Sequence, residues 1–318
     1  MATLTRGWMQ VWFPAVPLER VAIFRIAVTL FALVDVALVS NYMIGYTDVD
    51  PMFFDPVYLL SVGEDPVPTS TVYAAMTGLL VVSLALAAAG IWTRAALAVA
   101  APLYLYHWTL FNSWGKVNHG KIPVVFALFV LIVAPSAARL SLDAWRRRKA
   151  GLADGPDLDP LAGWALRFIG VVIVASYAFS VYSKLRNTGP SWVVEPILLP
   201  FMRMGDTWVH QLLGENPELL IVLQGVTFVA EAAAVLVFLG GGVRNVLLAT
   251  LAGFHLGSYL LLETEFFGFL VCYLVFFDLE RMLPRLRRLR AGRPGAPPEA
   301  GPGHGAAEPV RAVERGSS

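Results

Sequence analysis

A few side chains able to move protons lie within or at the ends of long apolar runs: Asp35, His119, Lys184, Glu231 and His255, joined by Arg25 and Arg167. Ionisable groups at membrane depth are costly, so they face the bundle interior, a partner or a functional cavity. Lys184 carries the sharpest signal. Tyr177, Val181 and Lys184 follow one another at i, i+4 and i+7 on a helical stripe, with Gly170 and Val174 below them, whereas a lipid-facing stripe would be uniformly aliphatic. A lysine in a partly apolar pocket is favoured neutral by desolvation and can then act as a base; a lysine snorkelling to the headgroups would occupy the same position. His119, in Asn118-His119-Gly120-Lys121, and His255, flanked by Gly253, Phe254 and Gly257, read either as proton-handling groups or as an interface and a packed core histidine. Arg25, Arg167 and Glu231 share a similar depth near the other ends of their segments, which predicts a structural Arg–Glu pair between buried charges, with snorkelling open to either arginine. Asp35 belongs with the lysine and histidines by depth.

Aromatic side chains cluster beside this set: Tyr104, Tyr106, His107, Trp108, Phe111 and Trp114. They suit an aromatic belt at the headgroups, and equally a wall for a flat apolar ligand such as a quinone. No HxxxH or HxxE pairing is present and Cys272 is the single cysteine, so neither a metal site nor an intramolecular disulfide is expected. No P-loop or dinucleotide fingerprint occurs.

These residues need elements to hold them, and the composition says which. The 318 residues are 57% hydrophobic and 15% charged, with a mean hydropathy of +0.64, against roughly 25% charge in soluble domains. Lipid is the expected solvent, and a net charge of +1 offers nothing to nucleic acid. Eight segments reach the length of a span: 20–41, 71–92, 95–113, 120–138, 161–184, 218–240, 243–263 and 265–283. Helices are the expected form, because lipid offers no partner to an unpaired backbone. The prediction is an all-α polytopic bundle, multi-pass in the cell membrane.

One set of loops holds Arg94, Arg139, Arg146–Lys149, Arg244 and the basic run from Arg285 to Arg293; the alternate set holds Asp48, Asp50, Asp55, Glu64, Asp65, Asp206, Glu215 and Glu218. Basic loops mark the cytoplasmic side, so both termini are predicted inside, as an even number of spans requires. Residues 1–284 then form the membrane domain, and 285–318 a basic, then disordered tail. Of the outer loops, 42–70 and 185–217 are long, and Trp192–Met204 reads as a short interfacial or re-entrant helix. No internal repeat is visible, which ranks a transporter last.

Several stretches together resemble one family. Ala22–Ile26 with Val34-Asp35 resembles the first span of the vitamin K-dependent γ-glutamyl carboxylase and its bacterial relatives with a horizontally transferred transmembrane (HTTM) domain. Ser113-Trp114 followed by Asn118-His119 resembles that carboxylase's Trp-Asn-Asn-His, with two extra residues between. Ser141-Leu142-Asp143 resembles its Ser-Val-Asp. Tyr177, Ser183-Lys184-Leu185 and Trp192 resemble its Tyr…Gly-x-Lys-Lys-Leu…Trp, and Phe254-His255 its late Phe-His. The similarity runs over about residues 15–283.

The resemblance implies a reduced quinone, vitamin K- or menaquinol-like, with Lys184 as the base, His119 assisting, Asn118, His255, Tyr177 and Asp35 in support, and Tyr104, Trp108, Trp114 and Trp192 lining a site open to the outside. It implies a carboxylase- or epoxidase-like enzyme acting on a small apolar or peptide substrate. Ser183 stands where the family has its first lysine, the glycine before it is missing, and no counterpart of the large lumenal portion follows residue 283, so carboxylation of a protein substrate is not expected. HTTM-only bacterial relatives include those of sporulation-delaying protein B, which helps a secreted peptide mature, and this gives the alternative: a non-catalytic maturation partner or chaperone.

Overall fold

The computed structural model describes residues 2–57, 60, 61, 67–115, 117–153 and 155–281. Glu64, Asp65 and the tail expected over 285–318 lie outside the described residues. Thirteen α-helices occur among those described. They are α1 (Ala2–Trp12), α2 (Leu18–Tyr46), α3 (Ser70–Ala89), α4 (Thr93–Asn112), α5 (Ile122–Val133), α6 (Leu142–Lys149), α7 (Pro160–Asn187), α8 (Ser191–Val194), α9 (Leu199–Met204), α10 (Trp208–Glu215), α11 (Pro217–Ala232), α12 (Gly241–Leu262) and α13 (Phe267–Cys272). Short 3₁₀ turns over His119–Lys121, Ala234–Leu239 and Tyr273–Phe276 continue α5, α11 and α13 at one end. The extended pieces β1 (Val16–Pro17) and β2 (Leu158–Asp159) pair antiparallel, Val16 opposite Asp159.

Four described helices are long and apolar enough to cross a membrane: the Leu18–Ser40 part of α2, then α3, α7 and α12; the bent pair α10–α11 makes a fifth if taken as one span. The other expected segments fall short for identifiable reasons. Arg94 opens α4 and Tyr104, Tyr106 and His107 follow, lowering its apolarity. The fourth and eighth segments are the shorter apolar helices His119–Val133 and Phe267–Phe276.

Local chemistry sets the helix ends. Thr69 caps α3 through Val72 N, and Gly90 closes that helix at φ 72°, in the left-handed region that costs glycine least. Asp159 accepts from Ala162 N at 2.9 Å while Pro160 occupies the first turn of α7, where its missing N–H is not needed. The core joins α2, α3, α4, α5, α7, α12 and α13, with Val28, Leu84, Leu97, Leu128, Ile169 and Leu251 almost fully buried.

The predicted inner Arg–Glu pair is replaced by other partners. Arg25, fully buried, donates from Nη1 to Ser136 O at 2.9 Å and from Nη2 to Leu140 O at 2.7 Å, capping the turn after α5. Arg167 lies over the Phe238 ring at 5.1 Å. Glu231 binds Lys184 instead. Depth counted along one helix spanning 218–240 does not hold, because the α-helix ends at Ala232, one residue after the glutamate.

Candidate functional site

Lys184 occupies the last turns of α7, one α-turn beyond Ser180 and two beyond Tyr177. Its ammonium forms an ion pair with the Glu231 carboxylate, and the two side chains are 13% and 2% exposed. Ser180 Oγ donates to the other Glu231 oxygen at 3.2 Å. The lysine is therefore not an amine alone in an apolar pocket: a buried carboxylate balances it. The Trp192 ring of α8 and the Phe254 ring of α12 face the ammonium at 5.1 and 5.6 Å, which adds cation–π attraction.

Next to this pair, buried Tyr177 places its hydroxyl 2.6 Å from His255 Nε2 and against the Tyr273 hydroxyl. The result is a Tyr273–Tyr177–His255 chain linking α13's extension, α7 and α12. Exposed His119 opens the 3₁₀ turn, with its ring 5.2 Å from Phe266. Asn118 builds that turn: its Oδ1 accepts from Gly120 N at 2.8 Å, its Nδ2 donates to Glu265 O at 3.2 Å, and its own N–H donates to Asn112 Oδ1 at 2.9 Å.

These groups share one cavity of about 240 Å³, lined on its polar side by Lys184, Glu231, Ser180, Tyr177, His255 and His119. Trp192, Phe254, Phe266 and Phe269 form its aromatic side. The cavity lies below the ~300–1,000 Å³ of drug-sized pockets, so it suits a ring system without its tail. An adjoining apolar slot of about 260 Å³ between α11 and α12 shares Trp192, Phe254 and Leu262.

The other expected residues fall elsewhere. Asp35, Tyr104 and Trp108 surround Lys121: Lys121 Nζ reaches Asp35 Oδ1 at 2.5 Å and Glu265 Oε1 at 2.6 Å. Tyr104 donates to Asp35 Oδ2 at 2.7 Å, and the ammonium sits 4.6 Å from the Trp108 ring. Trp114 stacks on Tyr46 at 5.6 Å and meets Phe54 edge-on at 4.9 Å. Asp35, Tyr104, Trp108 and Trp114 are thus absent from the lining of the Lys184 cavity. Sequence reasoning missed Lys121, Glu265, Tyr273 and the pairing of Glu231. Only the intramembrane position of Glu231 signalled its importance, and its partner was misassigned.

The sequence pattern of the HTTM domain matches residues 14–280, a stretch that includes every residue of both buried clusters. No curated protein and no solved structure matches the chain.

Proposed function

The chain belongs to the HTTM domain family, and from that premise we propose that it is a multi-pass protein of the cell membrane whose Lys184 cavity takes the ring of a reduced quinone and removes a hydroxyl proton from it. The observation that carries this reading is convergence. His119, Tyr177, Lys184, Trp192 and His255, drawn from four separate stretches of sequence, line one cavity together with Glu231.

The residues fit such a ring. The aromatic side offers faces for stacking, and the buried Trp192 Nε1–H and His255 Nδ1 have no hydrogen-bond partner among the described residues, so ligand oxygens would satisfy groups otherwise costly to bury. The neighbouring slot offers apolar room for a lipid tail. Bound there, a reduced quinone supplies an acidic hydroxyl and reducing equivalents.

The ion pair is the proton-loaded form of the base. With one proton fewer, Lys184 is an amine beside the Glu231 carboxylate. The amine takes the hydroxyl proton, an O–H bond breaks as an N–H bond forms, and the resulting ammonium is neutralised where it stands. His119, exposed at the rim, returns the proton to solvent. Eight spans with both termini cytoplasmic put this rim on the outer side, on the strength of the arginine segregation. The test is an anaerobic titration of the purified full chain with a tailless naphthoquinol, read by tryptophan fluorescence. Saturable quenching is expected, diminished in Trp192→Phe and with affinity weakened about tenfold or more in Lys184→Met, the loss of one charge-assisted hydrogen bond. Equal titration curves for wild type and Lys184→Met would remove the quinol reading.

A second reading, maturation of a secreted peptide, draws on Phe201, Met204 and Trp208 of α9 and α10, which are 52%, 78% and 73% exposed. Peptide maturation lost in Met204→Glu yet intact in Lys184→Met would favour it.

A further inference from the structure

A second cavity, of about 460 Å³, opens where the C-terminal ends of α2, α4 and α12 meet. Its walls are rings: Tyr42, Tyr46, Trp108, Phe111 and Trp114. Its polar groups are two acids, Glu263 and Glu265, with Asn118 and Thr264. We propose that this cavity binds an organic ammonium group, quaternary or alkylated, between the rings and the two glutamates. The proposal does not rest on the quinol reading.

The charge balance comes first. Asp35 and Glu265 already share the single ammonium of Lys121, and exposed Glu263 has no ion-pair partner among the described residues. Three carboxylates thus stand against one cation. Glu265 commits Oε1 to Lys121, while its Oε2 is buried and has no hydrogen-bond partner among the described residues. Leaving a buried carboxylate oxygen unpaired is costly, and an arriving cation would relieve it.

The walls then choose the kind of cation. A calcium or magnesium ion needs an oxygen shell of about six or more ligands, and these walls are mostly carbon. Ring faces attract an alkylated ammonium, which sheds water easily and gains cation–π energy. The same cluster already does this once, with Lys121 Nζ 4.6 Å from the Trp108 ring and 5.3 Å from the Phe31 ring. The volume falls within the ~300–1,000 Å³ of small-ligand sites. Trp114, stacked on Tyr46 and held edge-on by Phe54, is fixed before any ligand arrives.

The site also has a place relative to the Lys184 cavity. Thr264 lines both cavities, and Asn118 and His119, neighbours in sequence, line one each. A ligand headed by an ammonium group would therefore be anchored one loop away from Lys184. Two sources share the chemistry: a free organic cation and a choline-type lipid headgroup.

The test is a titration of the purified full chain in a maltoside detergent with tetramethylammonium chloride at constant ionic strength, read by tryptophan fluorescence and thermal unfolding. A saturable response absent with sodium chloride is expected, with affinity weakened about tenfold in Trp114→Leu and in Glu263→Gln. The exposed Glu263 side chain makes no hydrogen bond or ion pair among the described residues, so this variant guards against a merely unfolded Trp114→Leu. Displacement of the probe in phosphatidylcholine nanodiscs but not in phosphatidylglycerol nanodiscs assigns the headgroup source; no displacement in either assigns the free cation, and both support the site. No response beyond sodium chloride, or one undiminished in both variants, overturns the proposal.

Discussion

Lys184 and Glu231 would each be a liability alone, since an uncompensated charge in a buried setting costs several kcal/mol. Removing one partner of such a pair typically costs about 3–5 kcal/mol, whereas replacing both by apolar groups is often neutral. Glu231→Ala should accordingly unfold at markedly lower temperature in detergent. The double variant Lys184→Met with Glu231→Leu should regain most of that loss while still failing to bind a naphthoquinol. A double variant that binds normally would separate the pair from the site. This split between stability and binding also distinguishes a working base from a structural staple. Lys184 and His255 drew notice in the sequence because each interrupts an apolar pattern, and His119 because it stands in Asn118-His119-Gly120-Lys121 at the edge of one. Lys121 did not, because a lysine at the end of a span reads as an ordinary headgroup contact. Its partner Asp35 lies 86 residues away, a separation that periodicity cannot bridge.

The helices that carry these residues are held by close approaches that leave little room. Gly268, at the start of α13, has no space for a Cβ, which would meet Gly120 O at 2.4 Å. Gly268→Ala should therefore push α13 off the turn that presents His119. The expected result is weaker quinol binding with a lower unfolding temperature, and unchanged behaviour in both would show that the turn yields freely. At the other end of the bundle Asp143 supplies the cap that α4 lacks. Its carboxylate accepts from Trp92 N at 3.0 Å and from Thr93 N and Oγ1 at 2.9 and 2.8 Å. Burial acts to raise its pKa, but the donors of Thr93 and Trp92 and nearby Arg146 outweigh it and hold the carboxyl below its ordinary value of 3.8. A depressed carboxylate stabilises the fold above its unfolded pKa and ceases to do so as pH falls through the folded one. Asp143→Ala should therefore cost about 0.5–2 kcal/mol near neutrality, as for a lost N-cap. The difference from wild type in thermal unfolding should vanish as pH drops below 3.8; a difference independent of pH would show that the charge plays no part. The long apolar helices were legible from composition and periodicity. The break at Ala232 was not, because no proline or glycine in Ala230–Val237 announces it.

Across the whole molecule, charge segregation is the feature on which the proposed orientation rests. Arg94, Arg139, Arg146–Lys149 and Arg244 alternate along the sequence with the acidic loops bearing Asp48, Asp50, Asp206 and Glu215, and basic loops stay in the cytoplasm. An enzyme reporter active only outside the cytoplasm should be silent when fused after Arg148 and active when inserted after Asp50. The reverse pattern would turn the Lys184 cavity inward. The all-helical membrane architecture was legible at this scale, whereas the separation of the polar residues into two clusters was not, because lateral packing leaves no trace in a single chain's periodicity. The account stands on Lys184 being a proton-exchanging amine that a quinol covers. Amine-selective labelling of the purified full chain, read by mass spectrometry at Lys184 with and without an anaerobic reduced naphthoquinol, tests this most directly. The account predicts slow but measurable labelling at Lys184 that the quinol suppresses in a saturable way while Lys149 labels unchanged. Labelling of Lys184 at the same rate with and without quinol would contradict it.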